Sequence, residues 1–285
     1  MFSLQGSLGP KHRGQIHTIY EGKQMKTYAT RLILSLLTGL FCLAPLSILA
    51  QDSPAPLAEV WIVTPKAGQT VDFQTALKAH VAVRKSHGDP RDWQVYTSIV
   101  GDKLNQYTIR NCCVNWADLD NFDRWDKSNP DVLGDWYENV APYVEKLEHY
   151  FSESDWANSN FKPENGPFRY YAVTDWKLKN GMEADFEAAK GTMSQIAINQ
   201  GWASAERNWI WMTQIGGYPI ASVVVPHKNF ASMASGGETF SEFLAKHMSS
   251  GEAAGALMKK FTSSTTSTKT TMWEHLPGLS MGGDH

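Results

Sequence analysis

Two stretches of the chain are apolar at odd and even positions alike, and they echo each other. Trp93-Gln-Val-Tyr-Thr-Ser-Ile-Val-Gly101 is answered by Trp209-Ile-Trp-Met-Thr-Gln-Ile-Gly-Gly217. Runs rich in β-branched and aromatic residues that end in glycine predict strands. A strand with one face in water shows a polar alternation. Here both faces are apolar, so both must be covered.

The same order of elements surrounds each stretch. In the first half the pattern predicts a strand at 60–64, a helix at 71–86 with Phe73, Leu77 and Val81 near one face, and strands at 93–100 and 106–113. Helices follow at 116–125 and 133–150, then a strand near 151–156. In the second half it predicts a strand at 170–176, a helix at 183–200 and a hairpin of strands 208–215 and 219–226 through Gly216-Gly217. Helices at 240–248 and 253–261 and a strand at 265–274 complete it. A repeat of about 110 residues is too long for a solenoid unit and suits a duplicated small domain.

The expected fold class is therefore α+β. Two ferredoxin-like βαββαβ repeats would pack their antiparallel sheets face to face as a barrel, with the helices outside. The repeats are expected at 51–157 and 168–285, joined by an Asn-, Pro- and Gly-rich linker at 158–167.

Residues 1–50 are expected to be an export signal rather than fold. A short basic stretch, Met25–Arg31, precedes an apolar run from Leu32 to Ala44, a break at Pro45 and a small residue at Ala50. Met25 is the expected true start, and a periplasmic or secreted location follows. The alternative is a membrane anchor, since the uncharged run reaches about the length needed to span; Pro45 and the polar exit favour cleavage, leaving no stable anchor. Five of the 26 basic residues (Lys11, Arg13, Lys23, Lys26, Arg31) and one of the 29 acidic (Glu21) precede residue 51, which leaves 21 and 28 and a net charge of −7. No basic cluster stands out, so nucleic acid has no electrostatic footing as a partner. Residues 51–285 keep two cysteines, Cys112 and Cys113. Neighbours on a regular strand point apart, so ordinary disulfide geometry is not expected of them, and no second Cys or His stands at zinc spacing, so no metal is expected.

Element order and the paired strand runs resemble the dimeric α/β-barrel superfamily in tandem form, over nearly all of residues 51–285. The resemblance implies a cavity between sheet and helices but no particular chemistry, since its members include cofactor-free monooxygenases, small isomerases, haem enzymes resembling chlorite dismutase, dye-decolourising peroxidases and proteins without known activity. A two-copy chain would already mimic the dimer of single-copy relatives, so a monomer or a homodimer is expected.

Several residues could carry chemistry. Arg110, in mid-strand, is an anion receptor if it points inward and a partner of an acidic helix residue if outward. His227 and His275 follow strands and could stand at a cavity mouth, His227 as a general base; the plainer reading is a loop histidine in water. Trp93, Tyr96, Trp209 and Trp211 could line a pocket for a flat apolar ligand, or simply pack a core. His247 follows Phe240, Phe243 and Leu244 at helical spacing and is either an axial haem ligand or a rim histidine. The Gly-x-x-Asp-Gly string of the dye-decolourising peroxidases is absent, as are a nucleophile elbow, a phosphate loop and a dinucleotide fingerprint. The leading expectation is a protein that binds a small apolar or aromatic molecule in a barrel cavity without a cofactor. The alternatives are a haem-binding or cofactor-free monooxygenase-type oxidoreductase and a non-catalytic envelope interaction module.

Overall fold

The structure, a computed structural model, describes residues 54–234 and 236–282. The expected export segment 1–50 and the end of the tail, 283–285, lie outside them. Among the described residues, eight strands and six α-helices follow in order. They are β1 (Leu57–Pro65), α1 (Thr70–Ser86), β2 (Trp93–Val100), β3 (Tyr107–Val114), α2 (Trp116–Ser128), α3 (Pro130–Asp135) and β4 (Val144–Asn160). Then come β5 (Tyr170–Leu178), α4 (Glu183–Asn199), β6 (Trp209–Ile215), β7 (Ile220–His227), α5 (Phe240–His247), α6 (Gly251–Ser263) and β8 (Thr265–His275).

The strands close into one antiparallel barrel in the order β1-β3-β2-β8-β5-β7-β6-β4. The first four strands thus stand as 4-1-3-2, and the last four repeat that order as 8-5-7-6. The two sets meet edge to edge along two seams, β2 with β8 and β4 with β6. A face-to-face pair of sheets would leave four open edges; the closed barrel leaves none among the described strands, which removes the usual liability of unpaired backbone.

The outward face carries the apolar cores. Trp93, Val95, Tyr107 and Ile109 bury against Phe73, Leu77 and Val81 of α1. Trp209 and Trp211 bury against Phe186, Ala189 and Met193 of α4 and Phe261 of α6. Both indoles are satisfied: Trp209 Nε1 donates to the Asn158 carbonyl at 2.8 Å and Trp211 Nε1 to Ser194 Oγ at 3.0 Å. This is the helix-side cover that the twice-apolar strands required.

Three local expectations differ from the structure. The helix expected at 133–150 gives way at Tyr143, and Val144–Tyr150 is strand instead. Pro142 cannot continue a helix, and β1 offers a free edge along which residues 144–153 pair, with one irregularity at Glu145. The linker expected at 158–167 is strand as far as Asn160. Lastly, Cys112 and Cys113 do form a disulfide. Cys113 is the extra residue of a β-bulge opposite Leu57 and Ala58, with φ +71°. A left-handed residue in a bulge breaks the strict alternation of side chains, which lets neighbouring sulfurs meet.

An ion cluster fixes α1 to the first half. Asp89, whose side chain has no exposure, accepts from Arg84 and, at 2.8 Å, from Arg91; Arg91 also reaches Asp126 of α2. Arg84 lies 4.0 Å over the Trp93 ring. Removing one partner of a buried ion pair strands the other. Asp89→Ala is therefore expected to cost about 3 kcal/mol in a urea unfolding titration; a loss below the accuracy of that titration would show the cluster to be ornamental.

Candidate functional site

Antiparallel partners share a face of the sheet, so the register sorts the side chains that point into the barrel. Arg110 is the partner of Val60 and Gln94, and Val60 is the partner of Tyr150. Tyr96 is the partner of His275, Tyr171 of Trp273, and Asp175 and Met212 are both partners of Ser222. Contacts between non-adjacent strands show that this face is the interior. Arg110 Nη2 on β3 approaches Met212 Sδ on β6 at 3.9 Å, with β1 and β4 between them. The rings of Tyr96 on β2 and Tyr171 on β5 meet edge to face at 5.2 Å, with β8 between.

Arg110, Tyr96 and Tyr150 lie deep in the protein, yet each is only half-buried by surface. A deep side chain keeps surface only where it borders a space that admits water-sized molecules. The barrel therefore holds a space at Arg110, walled by tyrosines.

Burial dominates the electrostatics there. It pushes the phenols of Tyr96, Tyr150 and Tyr171 to more basic values, while the positive Arg110 pulls each back. Burial also lowers the proton affinity of Arg110, whose electrostatic neighbours are those same phenols; its guanidinium stays protonated at neutral pH. Across the barrel, burial raises Asp175, and the Ser222 hydroxyl that donates to it at 2.6 Å opposes the rise.

At one end of the barrel lies a cleft of about 770 Å3, bordered by Lys78, Arg169, Lys228, Glu274 and His275. His275 stands between cleft and lumen. Its Nε2 pairs with Gln94 Oε1 at 2.8 Å, and its ring packs on Tyr96 at 5.1 Å. The segment after β8 completes the seam at this end. Leu276 and Met281 donate backbone N–H to the carbonyls of Val95 and Trp93, and Ser280 Oγ accepts from Val95 N–H. Gly282 then passes so close to Asp92 and Gln94 that a Cβ would stand 2.6 Å from Asp92 Oδ1. The tail is thus docked through Gly282.

The residues singled out from sequence separate cleanly. Arg110 and Tyr96 come together in the lumen. Trp93, Trp209 and Trp211 face the helices, because Trp93 and Tyr96 are three positions apart and alternation sends them to opposite faces. His227 lies on the outer side of the rim as the partner of Tyr170, its Nδ1 on the Ser232 carbonyl at 3.2 Å, and burial lowers its proton affinity. His247 is exposed on α5, its ring 4.4 Å from Phe243.

Eight strands in this order, closed by two seams and jacketed by helices, define the architecture. The chain has the dimeric α/β-barrel fold. No protein-family model matches the chain, and no curated protein does. Among solved structures, a Fusobacterium nucleatum protein provisionally assigned as a monooxygenase is similar at 12% identity and a TM-score of 0.48, over 78% of this chain and 93% of that one. An anthrone oxidase-like protein is similar at 9% and 0.46, over 81% and 95%. A mutant chlorite dismutase of Candidatus Nitrospira defluvii is similar at 9% and 0.46, over 80% and 93%. Likenesses this distant say nothing of chemistry, and the fold rests on this chain's own barrel.

A haem held by His247, the axial ligand weighed from sequence, does not fit the residues present. The space between the second-half sheet and its helices is filled by Phe186, Trp209, Trp211, Leu244 and Phe261, and His247 faces away from it into solvent. Among the described residues, no three His, Cys, Asp or Glu are placed to hold a metal ion.

Asp175 yields a test with a definite sign. A carboxyl raised by folding favours the protonated form, so its contribution is present below pH 3.8 and is lost as pH rises through the folded value. Asp175→Asn is expected to be more stable than the parent at pH 7, with the gain shrinking to nothing as the pH approaches 3.8. A gain that is flat with pH would mean that the charge is not the cause.

Proposed function

We propose that this chain is an exported small-molecule binder that takes an aromatic ligand into its barrel without a cofactor, entering past His275. Residues 1–50 would be removed on export, and one chain would supply both ferredoxin-like halves, 51–157 and 168–285. The observation that carries the reading is the set of deep but unsealed side chains around Arg110. Tyrosines suit such a wall, since each ring offers a rigid apolar body and a polar tip. The mouth carries Lys78 and Lys228 beside an Arg169–Glu274 pair at 2.7 Å, so its cations outnumber its anions on a chain that is otherwise acidic.

A cofactor-free oxidoreductase acting on the same bound molecule is the second reading, and Asp175 is what favours it. A buried carboxyl with a raised proton affinity is suited to taking a proton from a substrate near neutral pH.

The test is a thermal-shift series with neutral bicyclic aromatics such as 2-naphthamide. A ligand at 100 times its Kd adds about 2.7 kcal/mol, which for a chain of this size is roughly 5–10 °C in Tm. Tyr96→Ala, which removes one wall, should abolish most of the shift. A panel in which no aromatic moves the Tm would refute the proposal.

A further inference from the structure

We infer that the ligand is an aromatic anion, a carboxylate or phenolate whose negative oxygen seats on the guanidinium of Arg110. The inference rests on the preceding reading that the barrel takes up an aromatic molecule, and it adds the charge of that molecule.

Arg110 is a cation deep in a closed barrel. Among the described residues, no acidic side chain forms an ion pair with it. Its hydrogen-bond partner there is the thioether of Met212, a weak acceptor. The contrast with the other enclosed cations is sharp. Arg84 and Arg91 share Asp89, and Lys190 holds Asp155 at 2.9 Å. A buried charge without a counter-charge is among the costlier features a fold can retain.

The lumen's own carboxylate does not relieve it. Asp175 belongs to β5, in the other half, and is held by Ser222. What surrounds Arg110 is three phenols. A neutral phenol donates an O–H, and such donors can share the oxygen of an anion seated on the guanidinium. A guanidinium presents a planar fork that matches a carboxylate in two parallel hydrogen bonds. Arg110 retains surface beside the interior space, so its guanidinium is not sealed off by its neighbours. Lys78 and Lys228 at the mouth would raise the local concentration of such an anion.

The test compares 2-naphthoate, 2-naphthol above its own titration, 2-naphthamide and acetate by calorimetric titration of the purified protein at fixed ionic strength. The two aromatic anions should bind about tenfold or more tighter than the amide, as a charge-assisted hydrogen bond implies, and acetate should bind more weakly than either. Which of the anions binds tighter separates the carboxylate from the phenolate. Arg110→Met should weaken both anions far more than the amide and so erase the preference. The unliganded variant should be at least as stable as the parent, since an unpaired buried charge has gone; a merely structural arginine would lower stability instead. Amide binding as tight as naphthoate, or an acid preference that survives Arg110→Met, would overturn the inference while leaving aromatic uptake standing. If no aromatic binds, uptake itself fails. Should Arg110→Met not fold, the comparison of acid with amide on the parent protein decides alone.

Discussion

Closure of the barrel is the constraint from which the rest follows. Each set of four strands would by itself end in two open edges, and the two seams consume all of them. The β4–β6 seam depends on an unusually long strand: β4 runs for 17 residues, pairing with β1 over its first part and with β6 over its second. The β2–β8 seam is finished by chain that is no longer strand, the 276–282 segment hydrogen-bonded to Trp93 and Val95. Once both seams are made, the barrel has an inside that bulk water reaches only through its ends. A charged residue pointing inward is then enclosed whatever its distance from the helices.

Strand alternation divides the labour between the two faces. The tryptophans of the paired runs face outward and fasten helices: Trp93 to α1, Trp209 and Trp211 to α4 and α6. The residues between them face inward, where Tyr96, Arg110, Met212 and Ser222 stand among Val60, Ile210 and Trp273. The outer face therefore fastens the helices, and the inner face carries the groups on which the proposed recognition rests. Asp89 and Arg110 mark the difference. The one satisfies two arginines at a helix end, whereas the other's guanidinium has no carboxylate to answer it. A fold that retains such a charge gives up stability for a reason outside its own packing.

Much of this was legible in the sequence because it is local. The duplicated order of elements, the strands Trp93–Val100 and Trp209–Ile215, and the helices α1 and α4 all follow from periodicity over a few turns. Arg110 and Tyr96 stood out as chemistry in mid-strand. Their companions did not, because register is a long-range property: Tyr150 fell in a stretch with helical spacing, while Tyr171, Asp175 and Met212 join Arg110 only through pairings with distant strands. Parity was the unused signal. Counting by twos from Trp93 separates it from Tyr96, and counting by twos from Arg110 aligns it with Cys112 until the bulge at Cys113 resets the phase. The long β4 and the vicinal disulfide lay beyond reach for the same reason, since each depends on the partner strand β1 rather than on its own residues.

The central claim is a reachable space inside the barrel beside an uncompensated cation. Crystals of the protein grown in sodium bromide, with anomalous data collected at the bromine edge, examine it directly. The account predicts a bromide peak in the lumen within contact of the Arg110 guanidinium, among Tyr96, Tyr150 and Tyr171. A lumen packed solid around Arg110, or an Arg110 side chain paired with a carboxylate of the chain itself, would contradict it.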